Sequence, residues 1–396
     1  MRSDRKKNRK RKHRLAKFFI KLLVLIVFLA GAMLGALTVL DYNPADSEMI
    51  IIAGTSSARP NPGDTIKLVS WNIGYGSLGD NASYFLDGGK DVFPSDEERV
   101  KQNLFDTTTF LNEERADITL LQEVDHRSRR SYNNDQSVYI RSQIEGSFTA
   151  TFANNYKSFF IPYPIPPIGK VDSGMLTLSV YDINFSTRIS LPNPYTWPMS
   201  LLQLKRCLMV DRIPINGSGK DLIVINLHLE AYSDEESHIE QMKVLMNILE
   251  EEYARGNYVI AGGDFNHTFS NVDLSKYPQD PAKWAPMIVD TTAFESNWNV
   301  LMDSSVPSCR LLDKPYVDAD KSTFQYYILD GFIVSKNLKI ESLHTEQLNF
   351  VSSDHNPVIL EVTIPSETNS EAGDESGDES GDESGDESGD ESGDEG

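Results

Sequence analysis

Five short stretches of this chain hold carboxylates, carboxamides and imidazoles at spacings that could do chemistry together. The most informative is Tyr258-Val-Ile-Ala-Gly-Gly-Asp-Phe-Asn-His267, where an apolar run meets two glycines and then presents Asp264 and Asn266. Residues two apart on an extended backbone point the same way, so this carboxylate and carboxamide form one polar face. That pairing suits a hard cation and a phosphate oxygen. Asn226 and His228 repeat the spacing at the end of the nearly unbroken apolar run Leu222–Leu229. A lone histidine in a strand is normally packed core, but the neighbours Asn226 and Glu230 point to a site. Glu123 directly follows the apolar Ile118–Leu121 and Gln122, and a carboxylate there is costly unless a metal ion or other partner neutralises it. Asn72, closing Ile66–Asn72, can offer an oxygen to a cation or a hydrogen bond to phosphate. The fifth stretch is Ser353-Asp354-His355. A histidine acting as general acid or base needs a carboxylate to hold its tautomer. Asp354, adjacent in sequence, points away from His355 on an extended backbone, so Asp330 is the candidate partner and Asp354 is left to face a metal.

The elements that must position these residues alternate between strand and helix. Strands are read at Ile66–Asn72, Ile118–Glu123, Phe148–Ala153, Met175–Val180, Asn184–Leu191, Cys207–Ile215, Leu222–Leu229, Tyr258–Ala261, Thr323–Ser335 and Val358–Ile364. Ser95-Asp-Glu-Glu98 and Ser233-Asp-Glu-Glu236 have the capping-box form and open apolar stripes at helical spacing. A further helix is read over 127–147. The alternation implies a layered α/β body with the site along its sheet edges. Phe159–Gly169 holds four prolines, which exclude it from a sheet interior; it either packs on the core or forms an exposed apolar rim near a lipid surface. The stretch 268–322 lacks periodicity and is expected to shape a substrate pocket.

Both ends differ from this body. Residues 1–21 carry eleven Lys/Arg against Asp4 alone and read as a basic cytoplasmic tail. Residues 22–40 hold no charge and suit a transmembrane signal-anchor, with the catalytic body outside the cell by the positive-inside rule. The alternative is a cleaved signal peptide with Ala30-Gly-Ala32 as the cut, giving a secreted protein. Residues 41–65 read as a linker and 365–396 as a disordered acidic tail of Gly-Asp-Glu-Ser repeats. The formal net charge is −22, and the body shares the acidity. An acidic body is poorly suited to tracking nucleic acid through its phosphates, although a bound cation can reverse the field locally. Cys207 and Cys309 are the only cysteines and lack metal-site spacing; they are either buried thiols or, if exported, one disulfide.

Taken in order, Asn72, Gln122-Glu123, Asn226-Leu-His228, Gly263-Asp264-Phe-Asn266 and Ser353-Asp354-His355 resemble the endonuclease/exonuclease/phosphatase superfamily, the DNase I-like proteins. The resemblance spans residues 66–364. It implies a four-layer α/β sandwich, two packed mixed β-sheets flanked by helices, here preceded by one transmembrane helix. It implies Mg²⁺-dependent phosphoester hydrolysis, with Mn²⁺ able to substitute. Asn72, Glu123 and Asp354 would serve the metal, and Asp264 would orient or deprotonate the attacking water. Asn266 and Asn226 would bind substrate. His228 and the His355–Asp330 pair would bind phosphate and stabilise the transition state. Many members place a Tyr or Arg near the Ser-Gly strand to touch the phosphate, whereas here Lys170 and Asp172 stand there. Asn266-His-Thr268 is a glycosylation sequon, which a glycosylating export route would need buried. The expectation is a monomeric, membrane-anchored phosphoesterase acting on a lipid or small-molecule phosphate. The alternatives are a nuclease and a catalytically silent surface binding module.

Overall fold

The computed structural model describes residues 2–294 and 296–366. The expected disorder of the acidic repeats falls on residues outside those described.

Two seven-stranded sheets form the body. One runs, edge to edge, Ser47–Met49, Phe185–Ser190, Cys207–Pro214, Asp221–His228, Tyr258–Asp264, Asp330–Ser335 and Trp298–Leu301. The other runs Lys339–Thr345, Val358–Thr363, Thr65–Asn72, Ile118–Asp125, Gly169–Ser179, Thr149–Ile161 and Ala53–Gly54. The central strands are apolar at nearly every position because both faces of each sheet are covered. Between the sheets, Ile66, Leu68 and Leu120 of one meet Val224, Ile260 and Phe332 of the other. On one outer face, Met242, Leu245 and Leu249 of the helix Glu235–Ala254 pack on Ile225, Val259 and Ile333. On the other, Val100, Leu104 and Leu111 of the helix Glu97–Glu114 pack on Val69, Trp71 and Leu121. Each such aliphatic contributes roughly 1.5–3 kcal/mol on burial. The result is the expected four-layer sandwich.

Several local expectations are corrected. Both capping boxes shift by one residue: Asp96 and Asp234 are the N-caps, accepting from the backbone N–H of Arg99 and Ser237. Ser95 is diverted because its hydroxyl donates to the Ser77 carbonyl. The single helix expected over 127–147 is a short 3-10 turn at Arg129–Ser131 followed by an α-helix at Gln136–Gln143. Left-handed backbone at Arg127, Tyr132 and Asn133 breaks it. The strand expected at Phe148–Ala153 continues to Ile161 and pairs with Gly169–Ser179 as a long hairpin. Its tip is not core: Phe159, Tyr163 and Ile165 are exposed. Cys207 and Cys309 are separate, buried free thiols.

The helix at the N-terminus runs unbroken from Arg2 to Val39, so the basic segment continues straight into the apolar one. Its stretch Lys10–Val39 is long and apolar enough to cross a membrane, a test that signal sequences also pass. The segment expected to be a linker is stitched to the body instead. Ser47–Met49 pairs with Phe185–Ser190, and Ala53–Gly54 pairs with the long hairpin. The apolar helix is thereby tied directly to an edge of each sheet.

Candidate active site

Strand register brings the candidate residues together. Tyr258–Asp264 lies parallel to Asp221–His228, with Asp264 level with His228. It lies antiparallel to Asp330–Ser335, with Asp264 level with Asp330. In the second sheet Asn72 is level with Gln122. All of these are the ends of strands on one side of the sandwich. Gly263 permits the first register: a Cβ there would lie 2.0 Å from the Leu227 carbonyl oxygen, so no larger residue fits without parting the strands. A bulge between Leu121 and Val124 sets Glu123 in left-handed backbone, φ 53°, and re-aims its side chain. Such strain in a non-glycine residue is common at functional sites.

Asp264 is the hub. Its Oδ2 accepts from the Asn72 amide at 3.0 Å and lies 3.4 Å from His228 Nε2 and 3.8 Å from His355 Nε2. Its Oδ1 accepts from the Asn266 backbone N–H at 2.9 Å. Behind His355, Asp330 Oδ2 is 2.7 Å from Nδ1, the orienting pair expected from the alternation argument. Ser353 fixes the loop, donating to the Asn72 carbonyl and accepting from the His355 N–H. Trp71 Nε1 donates to the His355 carbonyl.

A single cavity is lined by Asn72, Glu123, His228, Asp264, Asn266, Asp354 and His355. Two expectations change. Asn226 lies deeper than the cavity, with no exposed surface. Its amide donates to the carbonyls of Leu121 and Leu176, and its oxygen accepts from Gln122. Asn226 therefore pins the two sheets together and does not face substrate. Asn72 presents its amide nitrogen to Asp264 and, at 3.4 Å, to Glu123, while its oxygen takes the Gly74 N–H. As placed it organises the carboxylates rather than offering them a further oxygen. The sequon residues Asn266, His267 and Thr268 are all buried.

Electrostatics follow from burial and neighbours. Burial pushes Asp264 up to about 6, His355 opposing and Asp330 adding to the rise. Burial likewise pushes Asp354 up to about 7, His355 opposing and Glu123 adding. Burial and then Arg206 hold His228 well below its ordinary range, so it is neutral at neutral pH. For His355, burial acts downward, but Asp330 and the other anions around it outweigh that and keep the imidazolium. One neutral and one charged imidazole thus flank the hub carboxylate. Glu123 adds to the cost of ionising Asp354 inside the cavity, which a hard divalent cation would remove. Their oxygens fit such an ion.

Residues missed in sequence complete the walls. Arg130 forks onto Asp125 and reaches Ser173 Oγ at 3.2 Å, with its guanidinium 3.7 Å from the Tyr75 ring centroid. It and Tyr156 supply an Arg and a Tyr beside the Ser-Gly strand, whereas Lys170 is exposed and Asp172 turns to Asn154. Arg206 and Arg310 also line the cavity, and each has a buried Nε with no hydrogen-bond partner among the described residues. Trp284 and Tyr327, from the irregular region and its flank, form an aromatic wall with Tyr232. Arg130 lies beside Ser173 because strand register sets Asp125 opposite that serine, which sequence spacing does not show.

Two back-to-back mixed sheets, with acids and imidazoles gathered at one set of strand ends, define the DNase I-like class of α/β sandwich. The chain belongs to the Endonuclease/Exonuclease/phosphatase family, which it matches over residues 69–355. Members of this family are typically phosphoester hydrolases that use divalent metals. No curated protein matches in sequence. Among solved structures, an endonuclease/exonuclease/phosphatase from Beutenbergia cavernae is 16% identical, with 76% of this chain and 72% of that one covered and a TM-score of 0.49. The catalytic domain of human Nocturnin with bound sulfate is 17% identical over 80% and 97%, TM-score 0.46. Truncated TDP2 of Caenorhabditis elegans is 15% identical over 76% and 99%, TM-score 0.45.

Proposed function

We propose that this chain is a membrane-anchored, Mg²⁺-dependent phosphoesterase acting on a lipid or small-molecule phosphate. The observation that carries the proposal is the hub: a buried Asp264 between a neutral His228 and a protonated His355, facing a cavity with paired acids and three arginines. Glu123 and Asp354 would hold the cation, which supplies charge neutralisation at the phosphoryl oxygens when bound. Asp264 takes the proton of the attacking water at Oδ2 as the water oxygen bonds to phosphorus and the ester P–O bond breaks, the departing oxygen taking a proton from solvent. His355, its Nδ1 proton held by Asp330, presents Nε2–H to the phosphoryl group and offsets the charge that develops there. His228 Nε2 and the Asn266 amide hold the remaining phosphate oxygens. Arg130, Arg206 and Arg310 draw the anion in.

The aromatic residues Trp284, Tyr232 and Tyr327 line the cavity, and their apolar faces suit the organic part of a small phosphoester. The test is hydrolysis by the full chain of sphingomyelin, phosphatidylinositides, nucleotides and plasmid DNA with Mg²⁺. Turnover of a lipid or small phosphoester, lost in Asp264→Ala and in EDTA, is expected. Turnover of plasmid DNA alone selects the nuclease reading, and activity surviving in Asp264→Ala refutes the mechanism.

A further inference from the structure

The apolar helix does not end in isolation. Thr38, one residue before its last, accepts a hydrogen bond from the Trp197 indole N–H at 3.1 Å. Just beyond, Asp41 lies 3.4 Å from Lys205 Nζ, and Tyr42 lies beside Arg188 and Lys157. The 3-10 turn Met199–Leu202 follows Trp197. Its carbonyls accept from Tyr156 and Ser158 of the long hairpin: Leu202 from the phenol, Leu201 from the hydroxyl. The hairpin then leads to Phe159 and to a tip held by Arg129, which donates to the Pro167 carbonyl, and by the edge contact of Tyr163 with Phe85.

Along this path lie large apolar side chains turned to solvent: Trp197 is 59% exposed, Met199 53%, Phe159 59%, Tyr163 66% and Ile165 94%. Among the described residues none buries them, and exposed apolar groups gathered in this way mark an interaction surface. The occupant is indicated twice. First, the strip is continuous with the end of a helix whose length and apolarity suit a bilayer, and Trp and Tyr are the residues that settle at its interface. Second, Lys170 stands exposed beside the strip, as does Lys157, which pairs with Asp172 at 3.5 Å, and exposed lysines there suit a phosphate-bearing headgroup layer. The cavity's own lining includes Leu86, Ile168, Gln203 and Leu204, from the same segments that build the rim.

We propose that the rim of Phe159, Tyr163, Ile165, Trp197 and Met199 seats on the phospholipid bilayer that the N-terminal helix crosses, so that the cavity mouth opens at headgroup level. The inference rests on the membrane-anchored reading above and makes a bilayer phosphoester the substrate presented to the site. Because Ser47–Met49 and Ala53–Gly54 are paired into the sheets, the anchor sets the body's orientation and does not merely tether it.

The test uses the full chain in phosphatidylcholine vesicles carrying nitroxide-labelled lipid. A fluorophore is placed at Ile165→Cys or, as control, at Lys339→Cys on the opposite edge strand of the same sheet. Strong quenching at 165 with little at 339 is expected; equal quenching overturns the proposal. The second arm is Phe159→Ser/Tyr163→Ser/Ile165→Ser, none of which lines the cavity. Loss of apolar insertion is expected to cut turnover of a vesicle phosphodiester about tenfold, with bis(p-nitrophenyl) phosphate hydrolysed as before. Equal loss on both substrates overturns the proposal. A chain that hydrolyses neither substrate sinks the phosphoesterase reading, whereas the quenching comparison still decides the rim.

Discussion

Replacing Asp330 by Asn separates the two services this carboxylate gives His355, position and charge. The carboxamide is nearly isosteric and sits in the same buried place, so the fold should survive; a thermal melt checks that. The native contact is 2.7 Å between Oδ2 and Nδ1. With charge centres about 4 Å apart and an effective dielectric near 20, the attraction is about 4 kcal/mol, and it favours the imidazolium. The sign follows from the native state. His355 is held well above the ordinary histidine range against the downward pull of burial, so without Asp330 burial prevails and the ring is neutral at neutral pH.

The assay is kcat/KM against pH with bis(p-nitrophenyl) phosphate and saturating Mg²⁺. In the parent protein the alkaline limb that reports loss of the His355 proton lies well above neutrality. In Asp330→Asn that limb should move to lower pH, and kcat at neutral pH should fall about 10²–10³-fold, the range for losing one donor to the charge of the transition state. Partial recovery is expected on acidification, until Asp264, itself raised to about 6, takes a proton. An unmoved alkaline limb with full activity would refute the charged role of His355, and a uniform loss at every pH would reduce Asp330 to a positioning residue.

Four further outcomes follow from particular contacts. Asp211 is buried between the sheets, with Thr151 donating to it at 3.0 Å, and burial pushes it up to about 6. The unfolded chain therefore releases this proton first, and stability falls as pH rises from about 4 through about 6; Asp211→Asn should be more stable than the parent by up to about 3 kcal/mol above that window and alike below it, by denaturant melts. Asn226→Ala strips the inter-sheet hydrogen bonds and should lower stability by about 2–4 kcal/mol while leaving KM unchanged, whereas a raised KM with unchanged stability would restore Asn226 to the substrate. Arg130→Lys loses the fork onto Asp125 and should lower kcat/KM by roughly 10–100-fold, mostly through KM. Glu123→Gln with Asp354→Asn should abolish the heat of Mg²⁺ binding in calorimetry, and a parent-like heat would place the ion elsewhere.

What sequence could show of this site was set by where each residue sits on its strand. Asp264 and His228 share one level because two parallel apolar runs end in polar residues, which is visible in sequence, whereas Asp330, which opens its antiparallel strand, joins them through register. The His355–Asp330 pair was open to the same logic, since alternation ruled out the adjacent Asp354. Alternation also placed Asn226 on the same face as His228, correctly, yet could not say how deep that face lies. Two residues along a strand is roughly 6.6 Å, and in a two-sheet sandwich that is the distance between the mouth and the interior. The arginines were hidden for another reason. Arg130, Arg206 and Arg310 come from turns and strand starts whose placement depends on tertiary pairing, and a basic run such as His126–Arg130 looks like a solvated helix face until left-handed backbone breaks it.

The rim shows the same limit most sharply. Prolines at 162, 164, 166 and 167 declare only that the segment leaves the sheet, and its apolar residues fit a buried or an exposed place equally well. The exposure of Phe159, Tyr163 and Ile165 decides between them, and the segment 41–65 sets where that tip lies. Paired into both sheets, it fixes the end of the apolar helix beside Trp197 and the base of the hairpin. On the proposed seating, an apolar tip at that spot meets lipid, whereas the same tip on a free tether would be an aggregation hazard. Inserting a flexible Gly/Ser segment between Tyr42 and Ser47 would uncouple the two, and vesicle turnover should then fall while turnover of a soluble diester persists. Unchanged vesicle turnover after that insertion would show that orientation by the anchor plays no part.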